Sequence, residues 1–386
     1  MNRLLGILIA STKLGLTSFG GPAAHLGYFH EEYVRKRKWM DEKSYADLVA
    51  LAQFLPGPAS SQVGIGVGIA RAGILGGIVS FIGFTMPSVL VLILFAMLFV
   101  GSDIGHAGWL HGLKIVAVAV VAHAILGMAK NLTPDTARKT IALLALIAVL
   151  LWQTAFTQIA IILLGGIAGL LLFRSAEQDS GIDQSKFPLS KKAGALCLTL
   201  FFGLLAVLPI LRELTGSYWV ALFDSFYRAG ALVFGGGHVV LPLLEQELVP
   251  MGRISGEAFL AGYGAAQAVP GPLFTFASYL GAVMNGWQGG LFATFAIFLP
   301  AFLLIAGALP FWDLLRSHPR IKGAVMGVNA AVIGILLAAL YHPIFTSSIG
   351  KPADFALAAV LFSMLAFWKI PPWIVVLTGA AGGLLL

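Results

Sequence analysis

The sequence predicts an all-α polytopic membrane protein built from two homologous halves. Three observations carry this. Of its 386 residues, 59% are hydrophobic and only 11% charged, whereas a soluble protein carries roughly 25% charged residues. Stretches 90–100, 115–128, 140–151 and 195–211 are apolar with hardly a charge, and about 20 such residues cross a bilayer as a helix. The motif QFLPGP, Gln53 to Pro58, returns as QAVPGP, Gln267 to Pro272. The alternating segments of a membrane β-barrel are absent.

The net charge of +7 is spread over membrane-edge loops and forms no nucleic-acid patch. A single cysteine, Cys197, leaves no intramolecular disulfide and no cysteine metal cluster. The N-terminal stretch has the outline of a signal peptide. It lacks a small-residue cleavage site and partly recurs later, so it reads as structure.

The repeat runs through the whole chain. FGGPAAHL at Phe19 matches FGGGHVVL at Phe234, FTMPS at Phe84 matches IFLPA at Ile297, and GLKIVAVAV at Gly112 matches GVNAAVIGI at Gly327. The halves are therefore set at 1–173 and 217–386. Between them, 174–216 holds a polar linker and one extra apolar helix near 193–211.

Each half reads in the same order. A first span runs into the FGG break, and a charged loop follows. Two short helices flank PGP, then come a long span with an internal proline and three further spans. Proline lacks an N–H and its predecessor avoids helical geometry, so PGP interrupts the helix. The helices at 44–55 and 59–72 are too short to cross alone at about 1.5 Å per residue. They form a re-entrant hairpin or one discontinuous helix. Broken backbone at membrane depth survives only inside protein or beside a watery cavity. Paired breaks at matching places point to a transporter's binding site.

The basic loops trade places. RKRK (Arg35 to Lys38) lies early in the first half, whereas RSHPRIK (Arg316 to Lys322) lies late in the second. Lys and Arg favour the cytoplasm, so inverted repeats are expected. An even span count per half plus one extra helix gives that result. A purely re-entrant PGP element makes the count odd and conflicts with the charges.

Lys13 and Arg228 each stand six residues before an FGG motif. A cation within a span is costly and defaults to a functional reading, against snorkelling as the alternative. After PGP, a helix begins with Ala59, Ser60, Ser61 and Gln62 in one half and with Thr275 in the other. Helix N-termini offer free N–H groups and a positive dipole end, which suit oxyanions. Arg71 either completes this site or ends its helix. Gln53 and Gln267 line the cavity or cap backbone. His25 and His238 follow the FGG breaks and are candidates for proton coupling. Glu32 and Glu247 are repeat partners and candidate gating ion pairs, with RKRK as one partner. Asp224 stands four residues before Arg228, a spacing that pairs them on a helix. No P-loop, HExxH or other enzyme constellation is present, so neither ATP nor a cofactor is expected.

With these motifs in hand, the chain resembles the chromate ion transporter family in its long, two-domain form. The resemblance covers nearly the whole sequence. It implies a multi-pass protein of the cytoplasmic (inner) membrane that extrudes chromate, with sulfate as a competing dianion, driven by membrane potential or a proton gradient. The family's features map onto Phe19, Gly20, Gly21, Pro22, Gln53, Pro56, Gly57 and Pro58, and onto Phe234, Gly235, Gly236, Gln267, Pro270, Gly271 and Pro272. Gly237 replaces the proline that follows the first FGG, so the half-sites are unequal. Expected partners are an oxyanion, the bilayer and a second copy in a homodimer, with no nucleic acid. Rival readings are a carrier of sulfate or another oxyanion, an anion channel, and a structural membrane subunit.

Overall fold

The structure, a computed structural model, describes residues 3–19, 21–100, 108–152, 154–173, 189–234, 236–312 and 319–386. The expectations for Gly20, Gly235, linker residues 174–188 and residues 316–318 lie outside these. All regular elements among the described residues are helical. The first half contains α1 (Arg3–Thr17), α2 (Gly21–Phe29) running into a wider π turn at His30–Lys36, α3 (Glu42–Phe54), α4 (Ala59–Val100), α5 (Gly108–Leu132), α6 (Thr136–Leu151) and α7 (Ala155–Leu172). The extra helix is α8 (Lys191–Thr215). The second half repeats the order with α9 (Tyr218–Leu232), α10 (Val240–Leu248), α11 (Gly256–Ala266), α12 (Phe276–Ala308), α13 (Pro319–Ala339), α14 (Pro352–Ala366) and α15 (Pro372–Leu385).

Polar side chains start the helices that begin in loops. Asp41 accepts the Ser44 N–H and so caps α3, a bond that holds its carboxyl below the usual carboxylate range. Asp135 and Ser255 cap α6 and α11 likewise. Among the described residues, five helices are long and apolar enough to cross a membrane. Their outward faces carry exposed Leu90, Leu94, Leu98, Leu196, Phe202 and Phe295. A surface this apolar is stable only against lipid.

The two long helices are each folded double. In α4, Ala72 and Gly73 leave helical geometry, with Gly73 at φ +66°. The arms then lie antiparallel: Ser80 Oγ donates to the Gly64 carbonyl at 2.7 Å, and Gly68 touches Gly76 backbone to backbone. In α12, Asn285 and Gly286 make the same reversal and bring Gly281 against Gly289.

PGP turns the chain back on itself. Leu48 of α3 packs on Gly66, so closely that a Cβ there would meet its Cδ1 at 2.5 Å. In the second half, Tyr279 Oη donates to the Ala258 carbonyl at 3.0 Å. Of the two shapes the sequence leaves open, these contacts select the re-entrant hairpin. The FGG element differs from expectation. At 15 residues, α1 is about 22 Å long, short of the roughly 30 Å hydrocarbon core. It does not act as a span, because the chain folds back after it. Ser11 Oγ meets Tyr33 Oη at 3.1 Å and Lys13 Nζ meets Glu32 Oε2 at 2.7 Å. Each half thus begins with two hairpins.

The halves interlock. The second arms of α4 and α12 pack antiparallel, Phe81 against Phe298 and Ile93 against Gly290. α5 packs on α14 and α15, and its repeat partner α13 packs on α6 and α7. Glycines four apart carry both crossings. Gly108 and Gly112 meet Gly383 and Gly379, while Gly165 and Gly169 meet Gly327 and Gly323. Small residues at this spacing let backbones touch where no hydrophobic force separates lipid from protein.

Candidate functional site

The four breaks meet. Gly57 N–H donates to the Val233 carbonyl at 2.7 Å, and Gly271 N–H donates to the Ser18 carbonyl at 2.9 Å. Val233 and Ser18 each precede an FGG motif, so each PGP turn is tied to the other half's FGG break. Both glycines have left-handed φ, +112° and +108°, which an L side chain rarely adopts. The turns also abut the residue after the internal proline of the opposite long helix. A Cβ on Gly57 would lie 3.3 Å from Ala301 Cβ, and one on Gly271 would lie 2.9 Å from Ser88 Oγ. This is the packing reason for the FTMPS and IFLPA repeat.

Beside the Ser18–Gly271 bond lies a cavity of about 420 Å³. A water's share of liquid is about 30 Å³, so a small anion fits with several waters. The first FGG break contributes Ser18 and Gly21, α5 contributes His123, and the second FGG break contributes His238. The second PGP hairpin contributes Gln267, Gly271 and Leu273, and the α14–α15 junction contributes Lys369. Among the described residues that line it there is no carboxylate. Ser18 Oγ, His123 Nδ1 and Gln267 Nε2 are buried without a hydrogen-bond partner, while His238 Nδ1 is held by Tyr263 Oη at 2.6 Å. Unpaired buried polar atoms are costly unless water or a ligand fills their need.

The sequence-predicted cations sit elsewhere. Lys13 pairs with Glu32, which also takes the Arg37 Nε at 2.7 Å. Arg228 pairs with Asp224 at 2.5 Å and with Glu247 at 3.2 Å, and Arg212 bonds the same two carboxylates at 3.3 Å each. Lys13–Glu32 and Arg228–Glu247 are thus the same pair in the two repeats. Both cations are already neutralised, and neither lines the cavity.

The other candidates divide. Ser60 and Ser61 are buried at the start of α4, where Gln62 Nε2 donates to the Pro56 carbonyl at 2.8 Å and covers the first PGP turn. Pro58 is buried there, Ala59 is half-buried, and Gln53 is exposed on α3. Thr275 Oγ1 donates to the Pro272 carbonyl, so it is spent on its own turn. Phe19, Phe234, Gly236 and Pro270 are half-buried around the breaks, and the Pro22 side chain lies outside the described residues. His25 is buried edge-on to Phe84 with neither ring nitrogen bonded. Arg71 is exposed at the hairpin turn of α4, over the Trp39 ring, at the far end of its helix from PGP. Sequence reasoning missed Ser18, His123 and Lys369. His123 is one polar residue in an apolar run. Lys369 had a readable signal, since WKIPPW is a further cation beside a proline break.

Hairpins from two related halves, meeting tip to tip beside a cavity with no carboxylate among its described lining residues, inside an apolar helical shell, define a membrane transport protein. The family model described as "Chromate transporter" matches residues 5–170 and 220–384. The chain belongs to the chromate transporter family. It is 29% identical over 384 residues to a probable chromate transport protein of Synechococcus elongatus, covering 96% of this chain and 92% of that one. It is 28% identical over 392 residues to a chromate transport protein of Pseudomonas aeruginosa, covering 96% and 89%. An uncharacterized transporter of Methanocaldococcus jannaschii is 26% identical over 372 residues, covering 94% and 88%. No solved structure matches the chain.

Proposed function

We propose that the protein is a secondary carrier that exports chromate, or a tetrahedral dianion of the same shape such as sulfate, across the cytoplasmic membrane. The observation that carries this reading is the cavity at the meeting of the breaks, with His123, His238 and Lys369 and no carboxylate among its described lining residues. Nitrogen donors without a counter-anion favour an oxyanion over a metal cation. The relatives' printed names support chromate as the substrate.

The repeats, 1–173 and 217–386, are inverted, and 174–216 with its extra helix reverses the second. Two observations support this: the antiparallel packing of α4 on α12, and the chain's parity. In each half the first two hairpins return to the face they left. The second arm of α4 and α5 then cross in succession, and α6 with α7 forms a pair that restores the starting face. The single helix α8 carries the chain to the opposite face. On this path Arg35, Lys36, Lys43, Arg71, Lys130, Arg138, Lys191, Lys192 and Lys322 share one face. Lys114, Arg212, Arg253 and Lys351 fall on the other. The basic face is cytoplasmic. The cavity lies beyond the tip of the second PGP hairpin, on the cytoplasmic side, where cargo for export loads. Rocking of one half against the other then opens the site outward.

A dianion leaving a negative-inside cell gains about 4.6 kcal/mol per 100 mV, at about 2.3 per charge. Export therefore needs no proton. The test is chromate flux through the purified protein in liposomes under a potassium-diffusion potential and no pH gradient. The expected result is flux toward the positive side, reversed when the potential is reversed and inhibited by sulfate. Flux indifferent to the potential, or absent, contradicts the reading.

A further inference from the structure

We infer that Lys369 is the residue that balances the charge of the bound oxyanion, in the place that the sequence gives to Lys13 and Arg228. The inference rests on the oxyanion reading of the cavity. Three observations support it. First, the two repeat-related cations are committed: Glu32 holds Lys13, and Asp224 with Glu247 holds Arg228. A cation already paired with a carboxylate offers an incoming anion little net attraction. Second, Lys369 lines the cavity, and no carboxylate lies within ion-pair distance of its ammonium among the described residues. Gln267 and Ser18, whose amide nitrogen and hydroxyl are buried without a hydrogen-bond partner, line the same cavity. Third, its backbone is held at φ +52° between α14 and α15, ahead of Pro371 and Pro372. That is the turn that ends α14, where the Ile370 N–H reaches the Met364 carbonyl at 2.8 Å, and it brings Lys369 to the cavity wall. Lys369 is an exposed residue of the cavity wall, and on this inference its ammonium meets the anion as it enters. Lysine acts there as a compact point charge without a fixed fork, suited to an anion that must also leave.

The test uses the full chain in liposomes. Chromate flux is measured for the native protein, Lys369→Gln, Lys369→Asn and Lys369→Arg. In parallel, acylation of the Lys369 amine is followed by peptide mass spectrometry with and without chromate. Removing the charge should raise KM for chromate about tenfold, the weight of about 1.4 kcal/mol, with the maximal rate little changed. Arginine should restore most of it. Asparagine, which tolerates the left-handed backbone, should behave as glutamine does, and chromate should slow acylation. A native KM in both neutral variants, or in Lys369→Asn alone, overturns the inference, as does acylation unaffected by chromate. Native protein that moves no chromate, yet whose Lys369 is protected by it, removes the carrier reading and leaves the anion site standing.

Discussion

At the residue scale, the two glutamates explain cations that looked like substrate ligands. Glu32 and Glu247 occupy the same repeat position and each holds two basic side chains. Their environments differ. The second cluster is largely buried, with Asp224 2% and Arg228 15% exposed, whereas Lys13 is 54% exposed. Breaking a buried pair strands a charge and costs about 3–5 kcal/mol. An exposed pair is worth about 0–1 kcal/mol. Glu247→Gln should therefore lower the thermal stability of the detergent-solubilised protein sharply. Lys13→Met, which leaves Arg37 on Glu32, should barely change it. Equal losses in a melting experiment would contradict this difference between the clusters.

At the element scale, the helix breaks act as connectors. Each PGP turn donates one backbone bond to the other half, and the two bonds hold the hairpin tips together. Gly271→Ala forces a side chain into φ +108° and against Ser88 Oγ, an expected cost of about 1–3 kcal/mol. Gly57→Ala meets chiefly the Gln62 amide and the Ala301 methyl at 3.2 and 3.3 Å and should be milder. Chromate flux and melting temperature together check the order, and Gly57→Ala as the worse variant would reverse it. The glycine crossings are stricter. A Cβ on Gly112 would lie 2.0 Å from the Gly379 carbonyl, so Gly112→Ala must push α5 off α15. Loss of folded protein on size-exclusion chromatography is expected, and a native elution profile would refute that packing.

At the scale of the whole molecule, the sequence already shows the helical membrane class, both halves, the extra helix and the PGP interruptions. All of these rest on local chemistry: apolar run length, proline's missing donor and a repeat near 215 residues. The fold-back after FGG stayed hidden, because α1 is apolar like a span and only its 15-residue length and its partners on the returning chain show that it turns. The site was half legible. The broken segments do meet, but which cation stays free depends on carboxylates distant in sequence, such as Glu32 for Lys13, and on Lys369 arriving at the cavity from the far end of the chain. The central claim is a cytoplasm-facing anion cavity between inverted halves, and labelling one of its wall residues tests it most directly. Ala124 lines the cavity, and the sole native thiol, Cys197, can be replaced by serine. In that background, Ala124→Cys should react with a membrane-impermeant thiol reagent from the cytoplasmic face and be protected by chromate. Reaction confined to the opposite face, or unaffected by chromate, would contradict the account.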